Sequence, residues 1–310
     1  MNVAIDIILP VFGLVLIGYL SGRFRWIADA GVEGLASFVF SIAIPVMLFR
    51  SIAIVDLPSE IPWGYVLAYY TASLGLFGIC LIGGRLIQMN AIESSIFAMS
   101  SVYSNIVLLG IPLVLASLGD AATVPLFIIV STHAAIMFFV TTFFAESGKG
   151  NVEKLHHLPV QTLKVLLKNP IFVGIVLGVM TNLASIELPA ALDKTAAYLG
   201  KAALPCAVFS IGATISRYKI SGDILKIAIT IAVKNLIHPI LVWVACTQIF
   251  GLEPMWVAVA VILASCPSGI NVYLFANRYQ VIVPSTATIV VLSTVVSVPV
   301  ISLVLVLLVV

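Results

Sequence analysis

Residues 264–277 read ASCPSGINVYLFAN, which sets Pro267, Ser268, Gly269 and Asn271 in the middle of a long apolar run. A proline inside a helix has no N–H to give to the carbonyl four residues back, and a glycine lets the backbone leave helical geometry. The stretch therefore reads as a helix that is interrupted on purpose. What the interruption is for depends on its surroundings.

Those surroundings are apolar almost throughout. Of the 310 residues 62% are hydrophobic and only 9% charged, with a mean hydropathy of +1.21. A water-soluble globule carries about a quarter of its residues as charges, so the chain reads as an integral membrane protein. The net charge of +2 is small and dispersed, which excludes a nucleic-acid-binding face. The first ten residues, MNVAIDIILP, have neither the basic leader nor the cleavage site of a signal peptide and read as the start of the first span. Cys80, Cys206, Cys246 and Cys266 all fall within apolar stretches without zinc-ligand spacing, so they read as packing residues, with no metal or other cofactor expected.

A hydrocarbon core about 30 Å thick takes roughly 20 helical residues to cross. Ten runs of suitable length occur, near 3–21, 33–52, 63–84, 91–117, 121–145, 169–186, 197–216, 226–250, 254–276 and 284–309. The one long polar interval, 146–168, reads as a basic cytoplasmic connector, a linker between a first repeat of five spans (1–145) and a second (169–310). Alternate loops differ in charge. One set holds 11 lysines and arginines, the other only Arg50, Lys194 and Lys201. The positive-inside rule then places both termini outside the cell membrane.

The halves resemble one another. Aligning LPVFGLVLIG (9–18) with NPIFVGIVLG (169–178) matches Pro10 with Pro170, Phe12 with Phe172 and Gly18 with Gly178. The same offset of 160 matches Pro45 with Pro205 and Phe49 with Phe209, while slightly larger offsets pair Asn105 with Asn271 and Ser131-Thr132 with Ser293-Thr294. Five spans per repeat force the second copy to enter from the opposite side. The expected fold is an all-α membrane protein with an inverted 5+5 repeat, an architecture of secondary transporters.

In such a repeat the fourth span of each half meets its partner near mid-bilayer. The fourth span of the first half, SSVYSNIVLLGIPLVLASLGD (100–120), carries Gly110 and Pro112 where the ninth carries Gly269 and Pro267. Both spans are expected to break there, and unpaired backbone at that depth is tolerated only beside other protein groups, water or ligand. Two opposed half-helix N-termini, with the amides of Asn105 and Asn271, would suit a small carboxylate. A buried asparagine can also be simple interhelical glue.

Other polar residues leave alternatives open. His133, beside Ser131 and Thr132, can touch substrate, shuttle a proton or pack through one hydrogen bond. Lys234 and His238 share a helical face, being four residues apart. Lys234 is read as snorkelling to the cytoplasmic interface, with replacement of a coupling cation as the sharper alternative. Pro45 and Pro205 either interrupt the second and seventh spans or only curve them. The acids Asp6, Glu33, Glu93, Asp120, Glu146 and Glu253 lie near span ends, so no carboxylate relay for a sodium ion or a proton stands out. Nor is there an aspartate pair or a base placed for Ser268, which argues against a membrane enzyme.

SNIVLLGIPL (104–113) and CPSGINVYLFANRY (266–279) resemble the fourth-span and ninth-span signatures of the auxin efflux carrier family, which includes plant PIN carriers and prokaryotic carboxylate permeases. The resemblance covers essentially the whole chain. It implies a fold similar to the sodium/proton antiporters and bile-acid symporters, with crossing broken helices in a transport domain that moves, elevator-fashion, past a scaffold. It also implies that Asn105 and Asn271 contact a substrate carboxylate, with Ser104, Ser268 and Gly269 beside them. The short connector differs from the long hydrophilic loop of many plant members and points to a microbial carrier of malate-like or malonate-like anions rather than auxin. A sodium ion or proton is the candidate coupling ion, a homodimer through the first spans of each half is the candidate assembly, and an anion channel or a carrier of a non-carboxylate solute is the alternative function.

Overall fold

The computed structural model describes residues 2–57, 62–148 and 152–309. Among the residues singled out from the sequence, Lys149 lies outside the described residues, as do the side chains of Asp6 and Lys154. The described chain is helical, with no strand beyond one isolated bridge.

Helix α1 (Asn2–Arg23) is followed by α2 (Asp29–Phe38), which runs through a π-helical turn (Val39–Ala43) into α3 (Ile44–Ile54). Next come α4 (Trp63–Leu86) and α5 (Ala91–Val102), a break, then a π-turn (Ile106–Gly110) leading into α6 (Ile111–Leu118) and the long α7 (Thr123–Ser147). Helix α8 (Val152–Leu167) lies in the connector, and α9 (Pro170–Leu183) and α10 (Ala190–Ile215) follow. Helices α11 (Ile224–Ala232) and α12 (His238–Val244) form one rod through π-turns at Val233–Ile237 and Ala245–Ile249. Finally α13 (Pro254–Ser265), a second break, α14 (Ile270–Tyr279) and α15 (Val283–Leu308) complete the chain.

Six helical stretches of the described residues are long and apolar enough to cross a membrane: Asp29–Ile54, Trp63–Leu86, Ile106–Ser147, Ala190–Ile215, Ile224–Ile249 and Val283–Leu308. Shorter apolar helices cover Ile8–Arg23, Ala91–Val102, Pro170–Leu183 and Pro254–Ser265. Two of these four are short because the chain breaks immediately after them. The connector, read from sequence as a plain linker, carries the 16-residue α8.

Prolines have a different effect from the one expected. Pro45, Pro112 and Pro239 each sit two residues after a π-turn and within the first two positions of the α-helix that follows. A proline ring clashes with the carbonyl four residues earlier, and a turn widened to i→i+5 moves that carbonyl aside. The rods therefore continue. Pro205 lies inside the unbroken α10. Of the residues expected to break helices, Pro45, Pro112 and Pro205 thus lie in continuous helix, and Gly110, at φ −64 and ψ −49, is helical as well. Its missing side chain serves packing, since a Cβ there would come within 2.7 Å of Leu263 Cδ2.

Packing divides the helices into two groups. The most extensive pairs are α1 with α10 and α3 with α9. Both depend on glycine. On α1, a Cβ at Gly18 would collide with the Phe209 carbonyl and one at Gly22 with the Ser216 hydroxyl; on α9, Gly174 and Gly178 face the carbonyls of Pro45 and Phe49. Each pair of glycines is spaced by four, the small-xxx-small pattern that lets membrane helices approach closely. The second group joins α4 to α5 and α12, α5 to α7, and α15 to α11, α13 and α14. Both chain breaks lie in this second group.

Candidate functional site at the helix crossing

The two breaks meet. Ser104 and Ser268 form an antiparallel bridge, in which Asn105 N–H donates to the Pro267 carbonyl (2.8 Å) and Gly269 N–H to the Tyr103 carbonyl (3.0 Å). Each interruption thus supplies what the other lacks. Ser104 N–H donates to His133 Nε2 (3.2 Å) and Ser268 N–H to Ser293 Oγ (3.1 Å), while Tyr103 and Cys266 N–H reach back to Met99 and Leu263. Every N–H from Tyr103 to Asn105 and from Cys266 to Gly269 is therefore donated, Pro267 having none. Since each orphan would cost several kcal/mol in hydrocarbon, this mutual pairing is what makes two breaks at one depth tolerable.

The first break has no proline or glycine of its own. Residues 103–105 are Tyr-Ser-Asn, and the chain departs from the helix at Tyr103 with ψ 106. Its irregular backbone is held by tertiary partners, which local propensity does not record.

The breaks leave two new helix starts, at Ile106 and Ile270, neither of which has a side-chain cap. The first amides of a helix have no acceptor within it. Asn105 stands at the first start as its N-cap and Asn271 is the second residue of α14. Their amides differ in state: Asn271 Nδ2 donates to the Tyr103 hydroxyl (2.8 Å), whereas the buried Asn105 Nδ2 has no hydrogen-bond partner. The two asparagines are also not equivalent in the crossing, because the bridge pairs residues 164 apart and these are 166 apart.

Around the crossing lie the other polar candidates. His133 is fully buried, its ring stacked on Tyr103 at 4.8 Å and set edge-on to Tyr69 at 5.9 Å. Because Nε2 accepts from Ser104, a neutral ring carries its proton on Nδ1, which has no partner. Thr132 donates to the Ile128 carbonyl, so the Tyr70 hydroxyl donates to Thr132 (2.7 Å). Ser131 instead lines a cavity of about 130 Å³ between the two helix groups, with Ile52, Phe127 and Ile175.

Lys234 does not snorkel. It is fully buried, with Nζ 2.6 Å from the Ala264 carbonyl at the end of α13 and 3.4 Å from His238 Nδ1. Beyond His238 the network continues to Ser73 Oγ (2.9 Å), which donates to the Tyr69 carbonyl (2.8 Å). Gly269 lies against Tyr103, and the Ser268 hydroxyl donates to the Ser100 carbonyl (2.6 Å). Sequence reasoning did not single out Tyr103, Ser73 or Ser100. The clue to Tyr103 was its position beside Ser104 and Asn105; Ser73 and Ser100 left none.

A family model described as membrane transport protein matches residues 3–305. A Rhizobium meliloti (strain 1021) protein named "Putative malonate transporter" is 26% identical over 276 residues, covering 89% of this chain and 86% of that one. The mouse lysosomal cholesterol signaling protein is 23% identical over 76% of this chain, which spans 29% of its length. A rice protein named "Probable auxin efflux carrier component 1b" is 32% identical over 123 residues, 37% of this chain and 22% of the rice protein.

Proposed function

Because the chain belongs to the membrane transport protein family, that of the auxin efflux carriers, we propose that it is a secondary carrier of small organic anions of the malonate or malate type. The observation that carries this reading is the crossing itself. Two uncapped helix starts and the unpartnered Asn105 amide offer hydrogen-bond donors, at membrane depth, to a ligand rich in acceptors.

The carrier has ten spans in an inverted 5+5 repeat (1–145 and 169–310, joined by 146–168), with α5–α6 and α13–α14 as its broken fourth and ninth spans. Support comes from exchange between halves: α1 of the first half packs on α10 of the second, and α9 of the second on α3 of the first. Those four elements, with α2, form the scaffold. The remaining helices form the transport domain that moves past it with Asn105, Asn271, Ser104, Ser268 and Gly269 at the substrate. Family membership speaks against an enzyme. Loop charge supports a cell-membrane protein with both termini outside.

The experiment is a thermal-shift screen of the purified protein in detergent against mono- and dicarboxylates, with and without sodium and at two pH values. A ligand that binds the native state raises the melting temperature. A carboxylate response that disappears in Asn105→Ala supports the site, and dependence on sodium or pH identifies a coupling ion. A folded protein that responds to no carboxylate overturns the reading. Saturable flux with counterflow in proteoliposomes separates the carrier from an anion channel.

A further inference from the structure

We propose that α8 is an interfacial anchor that lies in the cytoplasmic leaflet and binds anionic phospholipid headgroups through Lys164 and Lys168. The inference uses the membrane reading of the chain and does not depend on what is carried.

The position of α8 follows from its neighbours. Helix α7 ends an apolar stretch, Ile106–Ser147, that is long enough to cross the bilayer, and α9 is an apolar helix that begins at Pro170. Helix α8 runs from Val152 to Leu167, so it starts a few residues after one and stops just before the other, and it packs against both. A helix of this length extends about 24 Å. With both ends held where apolar helices end, its axis runs along the bilayer surface rather than into the water. The excess of lysine and arginine on this side makes that surface the cytoplasmic one.

Its outward face is unsuited to water. Leu158 is buried against the protein, whereas Val160, Leu163 and Leu167 are 53%, 54% and 59% exposed. Their spacing of three and four places these three on one side of the helix, opposite Leu158. Lys164 and Lys168 stand beside that stripe, four residues apart and exposed. From 152 to 168 the sequence has a single acid, Glu153, against Lys154, Lys164 and Lys168. Among the described residues, the ion pairs include neither Lys164 nor Lys168.

An apolar stripe turned away from the protein and rimmed by lysines is the pattern of a helix seated at the headgroup boundary, with its apolar side among acyl chains. The lysines decide the occupant. Acyl chains alone would satisfy the stripe, and the two ammonium groups beside it match the phosphates of an anionic leaflet. Because α8 links α7 to α9, which belong to different packing groups, the anchor fixes that link at the bilayer surface.

The test is hydrogen exchange on the full chain in nanodiscs of phosphatidylcholine alone and of an equal mixture of phosphatidylcholine and phosphatidylglycerol. Lipid bound to the folded helix opposes its local opening, so the amides of α8 are expected to exchange on the order of tenfold more slowly in the anionic discs while those of α4 are unchanged. In the double variant Lys164→Glu/Lys168→Glu the difference is expected to vanish. Equal exchange of α8 in the two kinds of disc overturns the proposal, whether the helix is then covered by the protein, by a second copy or by nothing. A difference that survives the double substitution overturns it as well. Should the variant fail to fold, wild type in about 1 M salt, where the Debye length is about 3 Å, takes its place, and a difference that persists there counts against the proposal in the same way. No carboxylate enters the experiment, so either outcome leaves the carrier reading untouched.

Discussion

Tyr103 and Gly269, on opposite broken helices, approach so closely that a Cβ on Gly269 would lie 2.5 Å from Tyr103 Cε1. Gly269 has φ −73 and ψ 150, a conformation open to any residue, so its glycine is required by proximity rather than by backbone freedom. The Tyr103 ring has little room to retreat, being stacked on His133 and on Phe138 at 5.6 Å. Gly269→Ala is expected to destabilise the protein by about 1–3 kcal/mol through overpacking and to displace the Tyr103 hydroxyl from Asn271. A melting temperature and a substrate affinity both equal to wild type would show that the contact is slack.

Ser268→Ala separates two roles for one hydroxyl. Its bond to the Ser100 carbonyl predicts a loss of about 1–3 kcal/mol, because truncation leaves a buried acceptor unsatisfied. Although Ser268 lies at the proposed substrate site, its hydroxyl hydrogen is committed to Ser100, so substrate affinity is expected to change little. The opposite pattern, unchanged stability with lost affinity, would assign the hydroxyl to the substrate, and unfolding followed alongside ligand titration distinguishes the two.

His133 can be tested in the same way. His133→Phe keeps an aromatic ring against Tyr103 but removes the acceptor for Ser104 N–H, at an expected cost of about 1–3 kcal/mol. His133→Gln, which can still accept, is expected to recover part of that. Equal stability in the two variants would show that the Ser104 bond contributes nothing, and transport lost in both at unchanged stability would favour contact with substrate or proton transfer.

These residues show which features a sequence records. Length and composition of apolar runs were legible, because spanning a bilayer constrains every residue in a run. Pro267 and Gly269 marked the second break. The first break was read from Gly110 and Pro112 and so was placed five to seven residues after its true end at 105, since Tyr-Ser-Asn has no local reason to leave the helix. Pro112 was read as a break and Pro45 was left open because a preceding π-turn, which absorbs a proline without a break, depends on the packing around it. Lys234 shows the same limit. Its distance from the span end allowed snorkelling, and only the position of the Ala264 carbonyl decided otherwise.

Glycines on α1 give a test of the scaffold. A Cβ on Gly18 would overlap the Phe209 carbonyl, which belongs to a helix backbone and cannot rotate away, whereas a Cβ on Gly13 of the same helix meets nothing within 4 Å. Gly18→Ala must push α1 off α10 and is expected to cost about 1–3 kcal/mol. Gly13→Ala is expected to leave stability unchanged or slightly raised, because it relieves the entropic cost of glycine in a helix. Both positions are in the scaffold group, away from the crossing, so carboxylate affinity of folded Gly18→Ala should match wild type while transport slows if the transport domain moves past a rigid α1–α10 pair. Thermal unfolding, binding and proteoliposome flux on the two variants check this; equal melting temperatures for both would show that the close approach of α1 and α10 is not what holds the scaffold together.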